Sequence, residues 1–149
     1  MNLFAESNGS LSGLEQLRSF LSEGRRAGIA VSLDFALVEV ETGRAVFAGK
    51  PGAHATNPIG SIHGGYAAAM LDSACGCAVH SRLSAQQGYT TLELKVAYHK
   101  AILTDTDELR AEGRVISIGR RAAFAEGTLK DATGRLYASA TSTLLVFDR

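Results

Sequence analysis

Apolar positions recur with a helical period in two stretches of the chain and with a strand period in several others. Between residues 10 and 24, Leu14, Leu17, Phe20 and Leu21 sit at helical spacing behind Ser10 or Ser12 as a cap and stop at Gly24. A short amphipathic helix is predicted there. Residues 28–40 alternate well enough for a strand, Glu41-Thr42-Gly43 signals a turn, and residues 44–50 read as the returning strand of a hairpin. Residues 51–62 hold both prolines and two glycines without any period, which predicts an irregular loop. From His63 to about Leu83, the residues Ala67, Leu71, Ala74, Cys75, Ala78 and Val79 form one stripe of a long helix. After Gln86-Gln87-Gly88 the period changes again. Residues 89–99, 108–117, 121–130 and 136–147 are four strand-like runs rich in Val, Thr, Leu and Tyr.

The expected order is therefore helix, two strands, one long central helix, four strands. Ile118-Gly119-Arg120 and Asp131-Ala132-Thr133-Gly134 are hairpin turns, so the last four strands are expected as an antiparallel meander. The longest break among them is 101–106. This is an α+β chain: a sheet of about six antiparallel strands with one long helix to cover a face. The helix is rich in Ala and Gly, which permits close approach of the sheet. With no repeat or linker, residues 1–149 read as a single domain.

Composition narrows the class of function. The chain is 46% hydrophobic and 20% charged, ordinary for a globular protein. Lys+Arg and Asp+Glu balance at 15 each, which argues against a dedicated nucleic-acid surface. No run approaches the length of a membrane span, and residues 1–10 lack the cationic-then-apolar pattern of a secretory leader. Cys75 and Cys77 point about 200° apart on a helix, too far round for a bridge, and fit a reducing compartment as small packing residues. A cytoplasmic location is expected. No His, Cys, Asp or Glu set has metal-ligand spacing, and neither a nucleophile elbow nor a phosphate-binding loop is present. His54, His80 and His99 read as structural.

Chemistry concentrates at Asn57-Pro58-Ile59-Gly60-Ser61-Ile62-His63-Gly64-Gly65 and at Asp72. Glycines at a loop-to-helix junction leave backbone N–H groups unobstructed, at the positive end of the helix dipole. Such a corner suits a carbonyl oxygen that turns negative during acyl transfer, and Gly64 is the better donor because it directly follows His63. Asp72 lies mid-helix among small apolar residues, a poor place for a carboxylate without a task. Gly65, Ala68, Ala69 and Gly76 beside it leave room for a ligand or a second backbone. Eight positions separate Gly64 from Asp72, about 12 Å along the axis, so the two cannot share one carbonyl from the same helix. If both act, a two-fold dimer solves the problem by setting the helix start of one chain against the helix middle of the other.

The run from Asn57 through His63-Gly64-Gly65 to Asp72 resembles the hot-dog thioesterases of the phenylacetate-degradation (PaaI-like) type, over roughly residues 28–147. The hot-dog fold, a sheet wrapped around a central helix, is the shape that the element order calls for. The resemblance implies hydrolysis of an acyl-CoA to a free acid and CoA, with Asp72 as general base or nucleophile and Gly64 as oxyanion donor. It implies that His63 and Asn57 position the thioester and the attacking water. It also implies that a Ser or Thr on the next strand orients that water; Thr91 falls in place, with Thr90 its neighbour. A departure follows at Tyr98-His99-Lys100-Ala101, where many relatives carry an Arg-Pro pair.

Gly65 joins the substrate-binding set, together with Arg120 and Arg121 at a hairpin tip, which suit the phosphates of CoA, and Lys100. CoA would be part of the substrate, with no separate cofactor. A homodimer is required for the site, and a dimer of dimers is the expected assembly. Tyr66 and Met70 are candidates to line the acyl pocket. Two other readings are a hot-dog hydratase, whose differently spaced motif is absent, and a non-catalytic acyl-CoA-binding module, which would not need Asp72.

Overall fold

The computed structural model of the protein describes residues 10–149. The part of the single-domain and leader expectations that falls on residues 1–9 lies outside them. Helix α1, Gly13–Glu23, opens on a capping box in which the Ser12 hydroxyl accepts from the Glu15 N–H while the Glu15 carboxylate accepts from the Ser12 N–H, and it closes on Gly24 in the left-handed region at φ 63°. Next comes a correction. Residues 28–32 are not strand but a one-turn helix α2, Gly28–Ser32, and strand β1, Phe35–Glu41, begins only after Asp34 breaks the chain at φ 54°. The apparent alternation misled because Ile29 and Val31 face solvent, at 54% and 55% exposure, while Ala30 between them is buried.

Strand β2, Arg44–Gly49, returns beside β1 as expected. An irregular loop with a single 3-10 turn, Ala53–Ala55, leads to the central helix α3, Gly64–His80. That helix ends about a turn earlier than Leu83. All six residues of the predicted stripe, Ala67, Leu71, Ala74, Cys75, Ala78 and Val79, are fully buried. Strands β3, Gln87–Tyr98, β4, Leu109–Ile118, β5, Ala122–Asp131, and β6, Leu136–Asp148, complete one antiparallel sheet.

The strand order is β1-β2-β4-β5-β6-β3, which corrects the four-strand meander. Only β4, β5 and β6 form one. Strand β3 pairs with β6 at the far edge, and the long 99–108 connection carries the chain across the sheet to β4, beside β2. A hairpin needs only two to five residues, so the length of that break was the sign of a crossover.

Four small residues on adjacent strands share one row of the sheet: Ala45 opposite Gly113, Gly113 opposite Gly127, Gly127 opposite Ala140. Helix α3 lies in this trough, with β4 as its main bed. A Cβ on Gly113 would stand 2.3 Å from the backbone carbonyl of Ala74, and one on Gly127 would meet Leu71 and Cys75 at 3.1 and 3.2 Å. The sheet then curls so that its two edges rise beside the helix. Helix α1 docks on the C-terminal end of α3, where the Gly13 N–H donates to the Leu83 carbonyl at 3.0 Å and buried Gln16 pairs through Oε1 with the His80 ring Nε2 at 2.9 Å. Among the described residues no helix is long and apolar enough to cross a membrane.

Two consequences can be measured. Gly113→Ala forces the helix off its trough and is expected to cost about 3 kcal/mol of stability in urea unfolding, because the obstacle is backbone and not a movable side chain. Burial, and secondarily the Arg149 charge, pushes His80 down from 6.5 to about 4. The native state therefore holds the neutral ring while the unfolded chain binds a proton, so stability falls as pH drops from about 6.5 to about 4 and this contribution falls no further below that. A loss of about 3 kcal/mol over that window is expected, and its slope should flatten in His80→Gln.

Candidate functional site

The loop before α3 is tied by Asn57. Its side-chain oxygen accepts from the backbone N–H groups of Ile59 and Ser61, at 3.1 and 3.2 Å, and its amide donates to the Ser61 hydroxyl at 2.8 Å. Both ends of the amide are thus engaged in shaping the loop, an Asx-type turn. These bonds make Asn57 the shaper of the loop that leads to His63, and the second N–H of its amide has no partner among the described residues. The loop is fastened to the body where the His63 N–H donates to Ala55 and the Ile62 N–H donates to Ile102.

His63 is the N-cap of α3, and its Nδ1 accepts from the Gly65 N–H at 2.8 Å. That bond leaves Nε2 as the protonated nitrogen of the neutral ring and so a donor. It also removes Gly65 from the set of available donors. The Gly64 N–H, by contrast, has no acceptor among the described residues, as the first helical N–H should when it awaits an outside partner. The carbonyl of Gly64 accepts from the Tyr98 hydroxyl at 2.7 Å. The Gly64–Gly65 peptide is therefore clamped on both sides, by Tyr98 through its oxygen and by His63 through its N–H. A Cβ on Gly64 would come within 2.9 Å of the Tyr98 hydroxyl, so the close clamp needs glycine.

An open cleft of about 480 Å³ lies over this corner, bringing together His63, Gly64, Gly65, Tyr98 and Lys100. Asp72 is not in it. The carboxylate sits further along α3, half-buried, where it accepts a hydrogen bond from the Thr91 hydroxyl at 3.0 Å. This resolves Thr91 from Thr90, whose side chain is exposed. A bulge at Leu92 is responsible. It switches the alternation of β3, so that Thr91 before it and Leu94, Val96 and Tyr98 after it all face the helix side; without it Thr91 would share the outer face with Lys95 and Ala97. The Asp72 charge also helps to hold up the thiols of Cys75 and Cys77, which burial first raises to about 12, so neither is a nucleophile near neutral pH.

Arg120 and Arg121 are exposed at the β4–β5 turn and form no ion pair among the described residues. Register places that turn at the Asp72 end, since Ala123 pairs with Leu144 and Leu144 with Thr91. Lys100 lies at the Gly64 end. Within one chain the expected site residues thus fall into two groups at opposite ends of β3: His63, Gly64, Gly65 and Lys100, and then Asp72 and Thr91 with the arginine pair. Tyr66 and Met70 belong to neither. Both are buried in the core, Tyr66 against Phe35, with its hydroxyl pushed up to about 12 by burial and the Asp34 charge. Tyr98 is the contributor that sequence reasoning missed, because nothing in the strand pattern marks the one inward tyrosine that reaches a helix carbonyl.

A helix laid in a six-stranded antiparallel sheet, with an open N–H at its start and a carboxylate held by the edge strand on its flank, defines a hot-dog protein. The model of the Thioesterase superfamily matches residues 59–138, and the chain belongs to that family of thioester hydrolases. No curated protein sequence matches significantly. Among solved structures, the chain resembles a thioesterase family protein from Silicibacter pomeroyi at 24% identity, covering 89% of this chain and 96% of that one with a TM-score of 0.77. It resembles a thioesterase from Haemophilus influenzae at 16% identity, covering 91% and 90% with a TM-score of 0.77. A third is the E. coli PaaI protein from the phenylacetic acid degradation operon, at 16% identity, 88% and 92% coverage and a TM-score of 0.77. At these identities the likeness establishes the fold.

The clamp on the Gly64–Gly65 peptide can be tested by Tyr98→Phe. Loss of one hydrogen bond to the peptide should lower kcat for thioester hydrolysis about five- to tenfold. Because Tyr98 is largely exposed, Tm should move by no more than about 2 °C.

Proposed function

We propose that the protein hydrolyses acyl-CoA thioesters to a free acid and CoA, at sites completed across a homodimer. The observation that carries this reading is the Asp72–Thr91 pair, a half-buried carboxylate on the flank of α3, oriented by a hydroxyl of the edge strand β3. The Gly64 N–H, at the positive end of the same helix, is suited to hold the thioester oxygen as it becomes an oxyanion. Asp72 then takes a proton from water as the water attacks the carbonyl carbon, and collapse expels the CoA thiolate, which takes up that proton. On the covalent route Asp72 itself attacks and expels the thiolate, and water then opens the mixed anhydride, restoring the carboxylate, releasing the acid and supplying the thiolate's proton. The Thr91 hydroxyl donates to the carboxylate and keeps lone pairs to accept from that water.

The dimer follows from distance and from the sheet edge. Gly64 and Asp72 are about 12 Å apart along the axis. Strand β3, 12 residues long, is an edge strand whose outer side has no partner in the sheet, with Leu92 and Tyr98 exposed along it. Gly64 lies level with Tyr98, and Asp72 level with Thr91. Antiparallel pairing of two β3 edges about a two-fold close to Leu94 sets Gly64 of one protomer against Asp72 of the other. The same symmetry brings Lys100 from one chain and Arg120 and Arg121 from the other toward one CoA, and the two thiols fit a reducing, cytoplasmic setting. A dimer of dimers is the larger assembly proposed.

The test is subunit complementation. Asp72→Asn should abolish thiol release from acyl-CoAs by about 10²–10⁴-fold. Gly64→Pro deletes the N–H at the helix position that tolerates proline, its ring displacing the Tyr98 hydroxyl as well, and His63, at ψ 136°, already has the extended backbone that a residue before proline requires. Each variant alone should be inactive. Reassembled in equal amounts they should recover about a quarter of wild-type activity, since half the dimers keep one intact site of two. No recovery from a mixture shown to contain heterodimers would rule out the shared site, and unchanged rates in Asp72→Asn would remove its role.

A further inference from the structure

The site just proposed needs a chamber for the acyl group, and the residues first expected to line it are core. Elsewhere, a pocket of about 180 Å³ opens beside α3. Its floor is Ser73 and Cys77, one helical turn apart and starting at the residue after Asp72. Tyr89, two residues from Thr91 and on the same face of β3, forms one wall; Leu37 and Phe47 of the β1–β2 hairpin form the other. The roof is Leu17 and Phe20 of α1 with Ala27 and Ala30 at α2. Two arginines stand at the rim, both with their charge engaged: Arg26 on Asp34 at 3.0 Å, and Arg25 over the Phe20 ring at 5.2 Å and 3.7 Å from Glu23.

We propose that this pocket, roofed by α1 and α2, is the acyl chamber, and that it limits the substrate to an uncharged acyl group of about six carbons or a single ring. The inference rests on the hydrolase reading above. Size sets the limit, since an apolar cavity of about 150 Å³ accommodates one benzene. Chemistry sets the class, because the interior offers aliphatic and aromatic carbon with only hydroxyl and thiol groups among it, and no free cation for a terminal carboxylate. The roof lies at residues 17–30, ahead of the stretch 59–138 that the family model matches, so chain-length choice should follow the side chains that this segment turns toward the pocket.

The experiment measures kcat/KM for acetyl-, hexanoyl-, decanoyl-, palmitoyl- and adipoyl-CoA with the wild type, Phe20→Ala and Ala30→Leu. Hexanoyl-CoA should exceed acetyl-, palmitoyl- and adipoyl-CoA by about tenfold or more in the wild type. Phe20→Ala, which opens the roof at a half-buried position, should raise the decanoyl-to-hexanoyl ratio about tenfold, whereas Ala30→Leu should bring hexanoyl- down toward acetyl-CoA. A wild-type preference for palmitoyl- or adipoyl-CoA, or the same chain-length profile in all three proteins, would overturn the chamber. Calorimetric binding of S-hexyl-CoA against S-ethyl-CoA, neither of which can be hydrolysed, separates the two readings. If no thioester is cleaved, the hydrolase reading falls. The chamber still stands if S-hexyl-CoA binds about tenfold tighter and loses that advantage in Ala30→Leu, and it falls if the two bind equally in every variant.

Discussion

The whole arrangement depends on how closely α3 can approach the sheet. At Gly113 the helix backbone occupies the space a side chain would need, and Gly127, Ala45 and Ala140 extend the same shallow row across four strands. Close approach does two things at once. It buries a stripe of mostly small residues completely, beside the larger Tyr66, Met70 and Leu71 that the same helix sends into the core. It also lets the sheet edges rise beside the helix, which brings β3 within hydrogen-bonding distance of α3. The Tyr98–Gly64 and Thr91–Asp72 contacts are both consequences of that proximity, and a helix standing off by one methyl group would lose them.

The same closeness explains why the polar groups of α3 are where they are. One side of the helix is committed to the trough; its start and its flank toward the edge strand β3 are less crowded. Gly64 and Asp72 occupy those two places. The sheet supplies each with one partner from β3, which leaves the Gly64 N–H and the second Asp72 oxygen for other molecules. Holding a donor and a carboxylate in fixed geometry before the substrate arrives is the condition under which they lower a barrier instead of merely binding a ligand.

Much of this was legible in the residues. The α3 stripe declared itself because a helix buried along one side repeats at i, i+4 and i+7, and all of Ala67 to Val79 obeyed that rule. Gly64 and Asp72 were legible for the opposite reason, since a glycine pair and a lone carboxylate break the local rules without a structural excuse. What could not be read was anything set by partners distant in sequence. The choice of Thr91 over Thr90 turns on a bulge at Leu92, and a bulge leaves no signature in a run of Val, Leu and Thr. The place of β3 beside β6 is a matter of topology, which the assumption of neighbouring strands inverted. Residues 28–32 deceived because alternating apolar residues fit a strand and a solvent-facing helical turn equally well over so short a span. Asn57 stood at the right place in the motif, and that its amide also shapes the loop is a detail only hydrogen-bond partners reveal.

These limits bear on where specificity resides. The elements that hold the proposed reacting groups, α3 and β3, fall within the stretch that the family model matches, and their geometry is bound to the glycine trough, so they have little freedom to vary. Helix α1 has a constraint of that kind at Gly13, where a Cβ would stand 1.8 Å from the His80 carbonyl, and at buried Leu17. The rest of α1 and α2 is fastened by a cap, a buried Gln16–His80 contact and an ion pair, interactions that many side chains around them would tolerate. A roof built from such a segment can change its inner surface without disturbing the helix–sheet contact beneath it. Under the proposed reading the division is physical: the reacting groups stand where packing is tightest, and selection among substrates where side chains can change.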